Sequence, residues 1–168
     1  MEVSHTRLHL INQIAKIPFF QECSQEKLLA LVNLGYRRHA EPGEFICLEG
    51  DVGNSFSLIL KGRVEVILMA KRQVLGKLSV GDFFGEIALL TGTRRTASVR
   101  AIEPSQLFVV HRSHLRALIM EHPILAEQIA TKLSERELAL IELGVLEKLD
   151  GEAAINLVKH RIKTAFGL

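Results

Sequence analysis

The middle of the chain, from Tyr36 to His111, consists of short apolar runs separated by turn residues. Turn signals such as Pro42-Gly43 and Gly81-Asp82 recur at short intervals along this region. Between them, apolar and polar positions alternate over a few residues, as in the run that begins at Val64. Short strands at regular spacing predict an antiparallel barrel or sandwich.

The segment before this region has helical spacing instead. A first helix is predicted over Arg7–Lys16, and Pro18 ends it. A second helix begins after an N-cap at Ser24 and is closed by Gly35. The first helix is expected to bury one apolar face made of Leu8, Ile11, Ile14 and Ala15.

Helical spacing returns after His111. Ser113–Glu121 is predicted as one helix, and Pro123 is well placed as the first residue of a long one. The distal part of the long helix is apolar nearly all round, so it needs cover from the barrel or from another chain. The predicted divisions are residues 1–35 (N-terminal helices), 36–111 (strands), 112–149 (C-terminal helices) and 150–168 (a terminal basic helix).

Composition narrows the class of protein. A chain of 168 residues with 48% hydrophobic residues has room for one domain and an additional helical segment. A net charge of +2 gives no general basic surface for nucleic acid, and no apolar run is long enough to span a membrane. Cys23 and Cys47 lack paired spacing, which favours free, buried thiols and a cytoplasmic location.

The segment Phe84–Val99 contains the chemistry expected of a phosphate site. Gly85 has no Cβ, so a ligand can approach its backbone closely. Good helix formers follow at Glu86–Leu90, and the first N–H groups of a helix attract a phosphate. Arg95 adds a charged fork of donors for the same anion, whereas Glu86 suits a ligand hydroxyl. An ordinary surface ion pair between Glu86 and Arg95 is the alternative.

This segment, FGEIALLTGTRRTASVRA, resembles the phosphate-binding cassette of cyclic nucleotide-binding domains. That family includes the regulatory subunits of protein kinase A, the catabolite activator protein and the cyclic-nucleotide-gated channels, and RRTASVRA is most similar to the channel branch. The wider likeness extends from about Ile14 to Arg136. It implies a mainly β fold, in which an antiparallel β-roll is flanked by N-terminal helices and a C-terminal helical lid.

The resemblance also implies roles for individual residues. Arg95 would bind an equatorial oxygen of a cyclic phosphate, and backbone amides near Ile87, Ala88 and Ala97 would complete the cradle. Glu86 and the Gly85 amide would hold the ribose 2′-hydroxyl.

Four more residues are assigned to the base by resemblance. The Thr96 hydroxyl would contact the phosphate or accept from the 2-amino group of guanine, which permits cGMP without requiring it, and an ordinary β-branched strand residue is the alternative. Leu78 and Val64 would line the base pocket, and plain core packing is an equal alternative for both. Arg136 would cover the purine as a lid residue, with a solvated helical arginine as the alternative.

The sequence is therefore interpreted as a cyclic nucleotide sensor for cAMP or cGMP that moves its C-terminal helices to control an effector such as a channel. A second copy or an effector domain would dock through residues 123–149. No cofactor, metal site or catalytic group is expected. The alternatives are an enzyme, a scaffold without ligand, and the effector-binding half of a catabolite-activator-type regulator. Only 19 residues follow Leu149, which is too short for a helix-turn-helix domain.

Overall fold

The computed structural model describes residues 5–16, 20–21, 23–85 and 94–121. Within these residues, three α-helices and a short 3₁₀ helix (Met69–Lys71) accompany eight strands. The α-helices are α1 (His5–Ala15), α2 (Gln25–Leu34) and α3 (Arg112–Glu121). The strands are β1 (Tyr36–Ala40), β2 (Phe45–Cys47), β3 (Ser55–Lys61), β4 (Val64–Leu68), β5 (Gln73–Leu78), β6 (Phe83–Phe84), β7 (Ser98–Ala101) and β8 (Ser105–His111).

The strands form two antiparallel sheets of four, with the orders β1-β8-β3-β6 and β2-β7-β4-β5. In the first sheet the earliest and latest strands are neighbours, with Tyr36 opposite Val109. In the second sheet Val64 lies opposite both Leu78 and Ala101. The mainly β, antiparallel roll that the sequence predicted is therefore confirmed.

The core of the roll lies between the two sheets. The first sheet contributes Ile59, Phe84, Leu107 and Val109 to one buried cluster, and the second contributes Val64 and Val99. Ile46, Cys47, Val66 and Leu78 are only partly buried and pack against that cluster from its margin. Apolar side chains from both inner faces thus close the roll, as expected when two sheets pack face to face.

The prediction for the buried face of α1 is partly wrong. Leu8 is 43% exposed, whereas Leu10 is 5% exposed and lies on the buried face with Ile11 and Ile14. At 100° per residue, Leu8 sits roughly 110° from the centre of that face. The spacing rule accepted Leu8 because it is three residues from Ile11, but the buried residues of α1 follow the Leu10–Ile14 line.

Both ends of α2 lie where the sequence placed them, although Gly35 acts for a different reason. The Ser24 side chain accepts a hydrogen bond from the Lys27 amide at 3.4 Å, as an N-cap does. Gly35 is extended (φ −103°) rather than left-handed. A Cβ at Gly35 would overlap the Phe108 ring, so glycine is needed for the close contact between α2 and β8.

The chain separates into two compact units, residues 1–115 and 116–168. No helix in the described part of the chain is both long and apolar enough to cross a membrane. Neither Cys23 nor Cys47 forms a disulfide, and both are half-buried rather than buried as predicted. The long helix expected from Pro123 and the terminal basic helix lie outside the described residues.

Candidate functional site

Backbone hydrogen bonds at both its amide and its carbonyl hold Arg95 in place. Its amide donates to the Asp51 carbonyl at 2.8 Å, and its carbonyl accepts from the Gly50 amide at 2.9 Å. The neighbouring Arg94 forms an isolated bridge with Val52. The turn of residues 48–52, hereafter the 48–52 turn, therefore fixes the direction from which the Arg95 side chain leaves the backbone.

The 48–52 turn is itself anchored to the second sheet. The Glu49 amide donates to Ser98 Oγ at 2.9 Å, and the Met69 amide donates to Glu49 Oε2 at 2.8 Å. Within the turn, the Leu48 amide donates to Asp51 Oδ2 at 3.3 Å. The Ser98 side chain is fully buried and connects β7 to the turn.

The Arg95 guanidinium is only partly satisfied. Its Nη2 donates to two oxygens of Ser55, the carbonyl at 3.0 Å and Oγ at 3.2 Å. Its Nη1 is buried and has no hydrogen-bond partner among the residues that the structure describes. A buried donor without a partner costs roughly 1–3 kcal/mol. An anion at Nη1 would remove that cost.

Gly85 lies directly against this free nitrogen. It has a φ of +92°, a conformation that L side chains rarely adopt. A Cβ at Gly85 would overlap Arg95 Nη1 and lie 2.6 Å from the Ser55 carbonyl oxygen. Strand pairing explains this proximity, since Ser57 faces Phe84 where β3 meets β6. Glycine here makes room for the arginine.

Arg100 of β7 is an example of an arginine whose charge is paired within the structure. Its Nε donates to Glu65 Oε1 at 2.8 Å, and its guanidinium lies 5.5 Å from the centre of the Phe45 ring. Among the described residues, Arg95 has no such carboxylate. Within the described residues its charge is therefore not balanced by a carboxylate.

The charge of Arg95 affects the pKa of the neighbouring Cys47 thiol. Burial raises the pKa of the Cys47 thiol, and the positive charge of Arg95 opposes part of that rise. Cys47 belongs to the partly buried margin of the core that also includes Leu78. The apolar margin and the Arg95 charge, which no carboxylate among the described residues balances, therefore lie in the same region of the roll.

The structure locates six of the ten candidate ligand residues. Gly85 and Arg95 are in contact, while Thr96 and Ala97 are half-buried between Arg95 and β7. Leu78 is half-buried, and Val64 is fully buried in the core. The other four candidates lie outside the described residues, namely Glu86, Ile87, Ala88 and Arg136.

Ser55 was missed by the sequence analysis. It lies 40 residues from Arg95 and belongs to no local motif. Only the pairing of β3 with β6 and β8 brings it to the guanidinium. No group of three or more metal-ligating side chains was found among the described residues.

Comparison with known proteins places this geometry in context. Residues 37–122 match the family model described as the cyclic nucleotide-binding domain. The human cyclic nucleotide-gated channel alpha-2 is 31% identical over 94% of this chain and 26% of its own length. The chain spans between 16% and 39% of the length of the curated relatives that it matches in this comparison.

Solved structures have the same fold. The cAMP-bound protein PfPKA-R matches with a TM-score of 0.76 at 20% identity, over 84% of this chain and 48% of that chain. The catabolite activator protein of Thermus thermophilus matches with a TM-score of 0.66 at 32% identity, over 76% of this chain and 62% of that one.

Proposed function

Because this chain belongs to the cyclic nucleotide-binding domain family, we propose that it binds cAMP or cGMP through Arg95 and thereby regulates an effector. The observation that supports the proposal is the buried Nη1 of Arg95, which lacks a partner among the described residues. A cyclic phosphate offers an exocyclic oxygen that accepts such a donor and balances the arginine charge. Guanidinium and phosphate form short, charge-assisted hydrogen bonds.

The other contacts follow from the position of the phosphate. The amides near Ile87, Ala88 and Ala97 complete its cradle, as the N–H groups at the start of a helix do. Glu86 and the Gly85 amide hold the ribose 2′-hydroxyl. The purine lies toward Leu78 and Val64, with Thr96 available to a guanine 2-amino group and Arg136 as its cover.

The site is proposed to be regulatory rather than catalytic. Ligand binding stabilises one arrangement of residues 123–149 over another, by no more than its difference in affinity for the two. Those residues then act on a second copy or on an effector domain. Since the chain spans only 16–39% of the length of the curated relatives compared above, a channel effector would lie in sequence beyond this segment. Two cysteines that form no disulfide fit a cytoplasmic location.

A second candidate function is the effector-binding half of a catabolite-activator-type regulator. The observation in its favour is the 32% identity to the Thermus thermophilus protein. Ligand chemistry at Arg95 would be the same in both cases. The two candidates differ in what residues 123–149 contact, which makes the identity of the effector a separate question from ligand binding.

Calorimetric titration with cAMP and cGMP tests the proposal. Arg95→Ala should weaken binding by about 2–5 kcal/mol, the scale for losing one partner of a desolvated charge pair. Arg63→Ala is the matched control, since it removes an equal charge from an exposed ion pair with Glu103. Arg63→Ala should bind like the parent. An effect of Arg95→Ala below about threefold would reject Arg95 as the phosphate anchor.

A further inference from the structure

One nitrogen of the Arg95 guanidinium is already saturated before any ligand is bound. Nη2 carries two hydrogens and has two acceptors on Ser55, the carbonyl at 3.0 Å and Oγ at 3.2 Å. We propose that Ser55 is a positioning residue, whose hydroxyl orients the guanidinium so that Nη1 faces the phosphate. This inference rests on the proposed cyclic nucleotide site and adds a residue that does not itself touch the ligand.

The planarity of the guanidinium gives this contact its effect. The five N–H donors of arginine lie in one plane in a fixed fork. Two acceptors on Nη2 therefore determine the orientation of the whole group and the direction in which Nη1 points. One acceptor alone would leave the plane free to swing about that single hydrogen bond.

The two acceptors also sit on a rigid support. Ser55 begins β3, which is paired on both sides, and Ser55 itself lies opposite His111 of β8. Gly85 closes the other side of the guanidinium, since a Cβ there would overlap Nη1. The side chain is thus confined between a strand start and a glycine, and its buried Nη1 has no partner among the described residues.

The carbonyl and the hydroxyl of Ser55 have different sequence requirements. Any residue at this position supplies a carbonyl, but only serine or threonine supplies a hydroxyl at Cβ. Arginine has a long, flexible side chain, and holding it in the bound geometry before the ligand arrives reduces what binding must order. The hydroxyl is therefore the part of Ser55 that selection could tune for affinity.

Titration of three variants with cAMP tests the inference. Ser55→Ala should weaken binding about tenfold, the scale for a hydrogen bond to a charged group. Ser55→Thr keeps the hydroxyl and should remain within about threefold of the parent. Ser57→Ala is the matched control, because Ser57 lies two residues along the same strand and is 5% exposed. It should leave the affinity unchanged.

A double-mutant cycle separates positioning from general damage to the strand. In an Arg95→Lys background the planar fork is absent, so Ser55→Ala should cause no further loss of affinity. An equal loss in both backgrounds would overturn the inference, as would normal binding by Ser55→Ala while Arg95→Ala binds weakly. That last pattern would leave the proposed function intact. Normal binding by Arg95→Ala would instead reject the proposed function itself.

Discussion

Gly85 combines an unusual backbone conformation with a close contact, and substitution can separate the two. Gly85→Ala should lower stability by about 1 kcal/mol through its positive φ, and should also displace the Arg95 guanidinium. We expect cyclic nucleotide affinity to fall about tenfold or more. Thermal unfolding and calorimetry on the same sample measure the two effects.

Gly43 provides the control for this substitution. Its φ of +89° is nearly the same, but a Cβ there would have nothing within 4 Å. Gly43→Ala should therefore lose similar stability and keep full affinity. If both variants lose affinity equally, strain rather than the contact with Arg95 explains the effect, and the assignment of Gly85 to the site fails.

Cys47 should report on the occupancy of Arg95. The arginine charge lowers the thiol pKa against the larger effect of burial, so a phosphate that neutralises Arg95 should raise the pKa of Cys47 further. In a Cys23→Ser variant, the pH midpoint of alkylation by iodoacetamide should move upward when cAMP is added. By linkage, cAMP affinity should fall as the pH rises through the Cys47 pKa.

Two controls separate this electrostatic effect from simple shielding of the thiol. Shielding lowers the plateau rate of alkylation at high pH but leaves the midpoint in place. Arg95→Ala without ligand should raise the midpoint by removing the same charge. A midpoint that stays fixed in both cases would mean that Cys47 does not sense Arg95.

At the scale of single residues, the sequence predicted Gly85 and Arg95 together but not the serines that support Arg95. Gly85 and Arg95 lie within one continuous motif, so their partnership could be predicted from local residue types. The roles of Ser55 and Ser98 could not be predicted, because only strand pairing brings each of them to a partner that is distant in sequence. A serine at a strand start has many ordinary explanations, and no neighbouring residue distinguishes this one.

The 48–52 turn is the element on which the Arg95 backbone depends, and Ser98 is its anchor. Ser98→Ala leaves the Glu49 amide without its acceptor and should cost about 1–3 kcal/mol of stability. Hydrogen exchange should accelerate at residues 48–52, and cyclic nucleotide affinity should fall by a few-fold because Arg95 is less well fixed.

Ser105→Ala is the appropriate comparison for that loss. Ser105 is also buried, at 4% exposed, and its hydroxyl donates to the Glu103 carbonyl at 2.8 Å, away from the turn. It should destabilise the protein while leaving exchange in the turn and ligand affinity unchanged. Equal acceleration at residues 48–52 in both variants would show that the turn responds to global stability alone.

The helices show where sequence reasoning succeeds for an element and where it stops. Ser24 caps α2 by accepting a hydrogen bond from the Lys27 amide, three residues along the chain, so a local sequence rule predicts it. The requirement for glycine at position 35 comes from the Phe108 ring, which is remote in sequence. The buried face of α1 was misplaced at Leu8 for a related reason, since its partner helix decides which line of residues is covered.

For the molecule as a whole, the proposed switch lies in residues 123–149. Ligand should slow amide exchange in that segment, and the roll between Tyr36 and Val110 should change little outside residues 84–99. Hydrogen-exchange mass spectrometry with and without cAMP measures this, and Arg95→Ala with cAMP serves as the unliganded control. Truncation after Ser134 should preserve phosphate recognition and raise the ligand dissociation rate. Protection confined to residues 85–97 would make the domain a passive binder.

The pairing of the first strand with the last has a consequence for how the chain acquires its fold. β1 and β3 both pair with β8, so neither completes its sheet until residues 105–111 have been synthesised. Such non-local pairing favours slow folding, and a nascent chain without β8 exposes two open strand edges. A polypeptide released before His111 should therefore aggregate rather than fold. The full chain should depend on chaperones during translation until β8 has been synthesised.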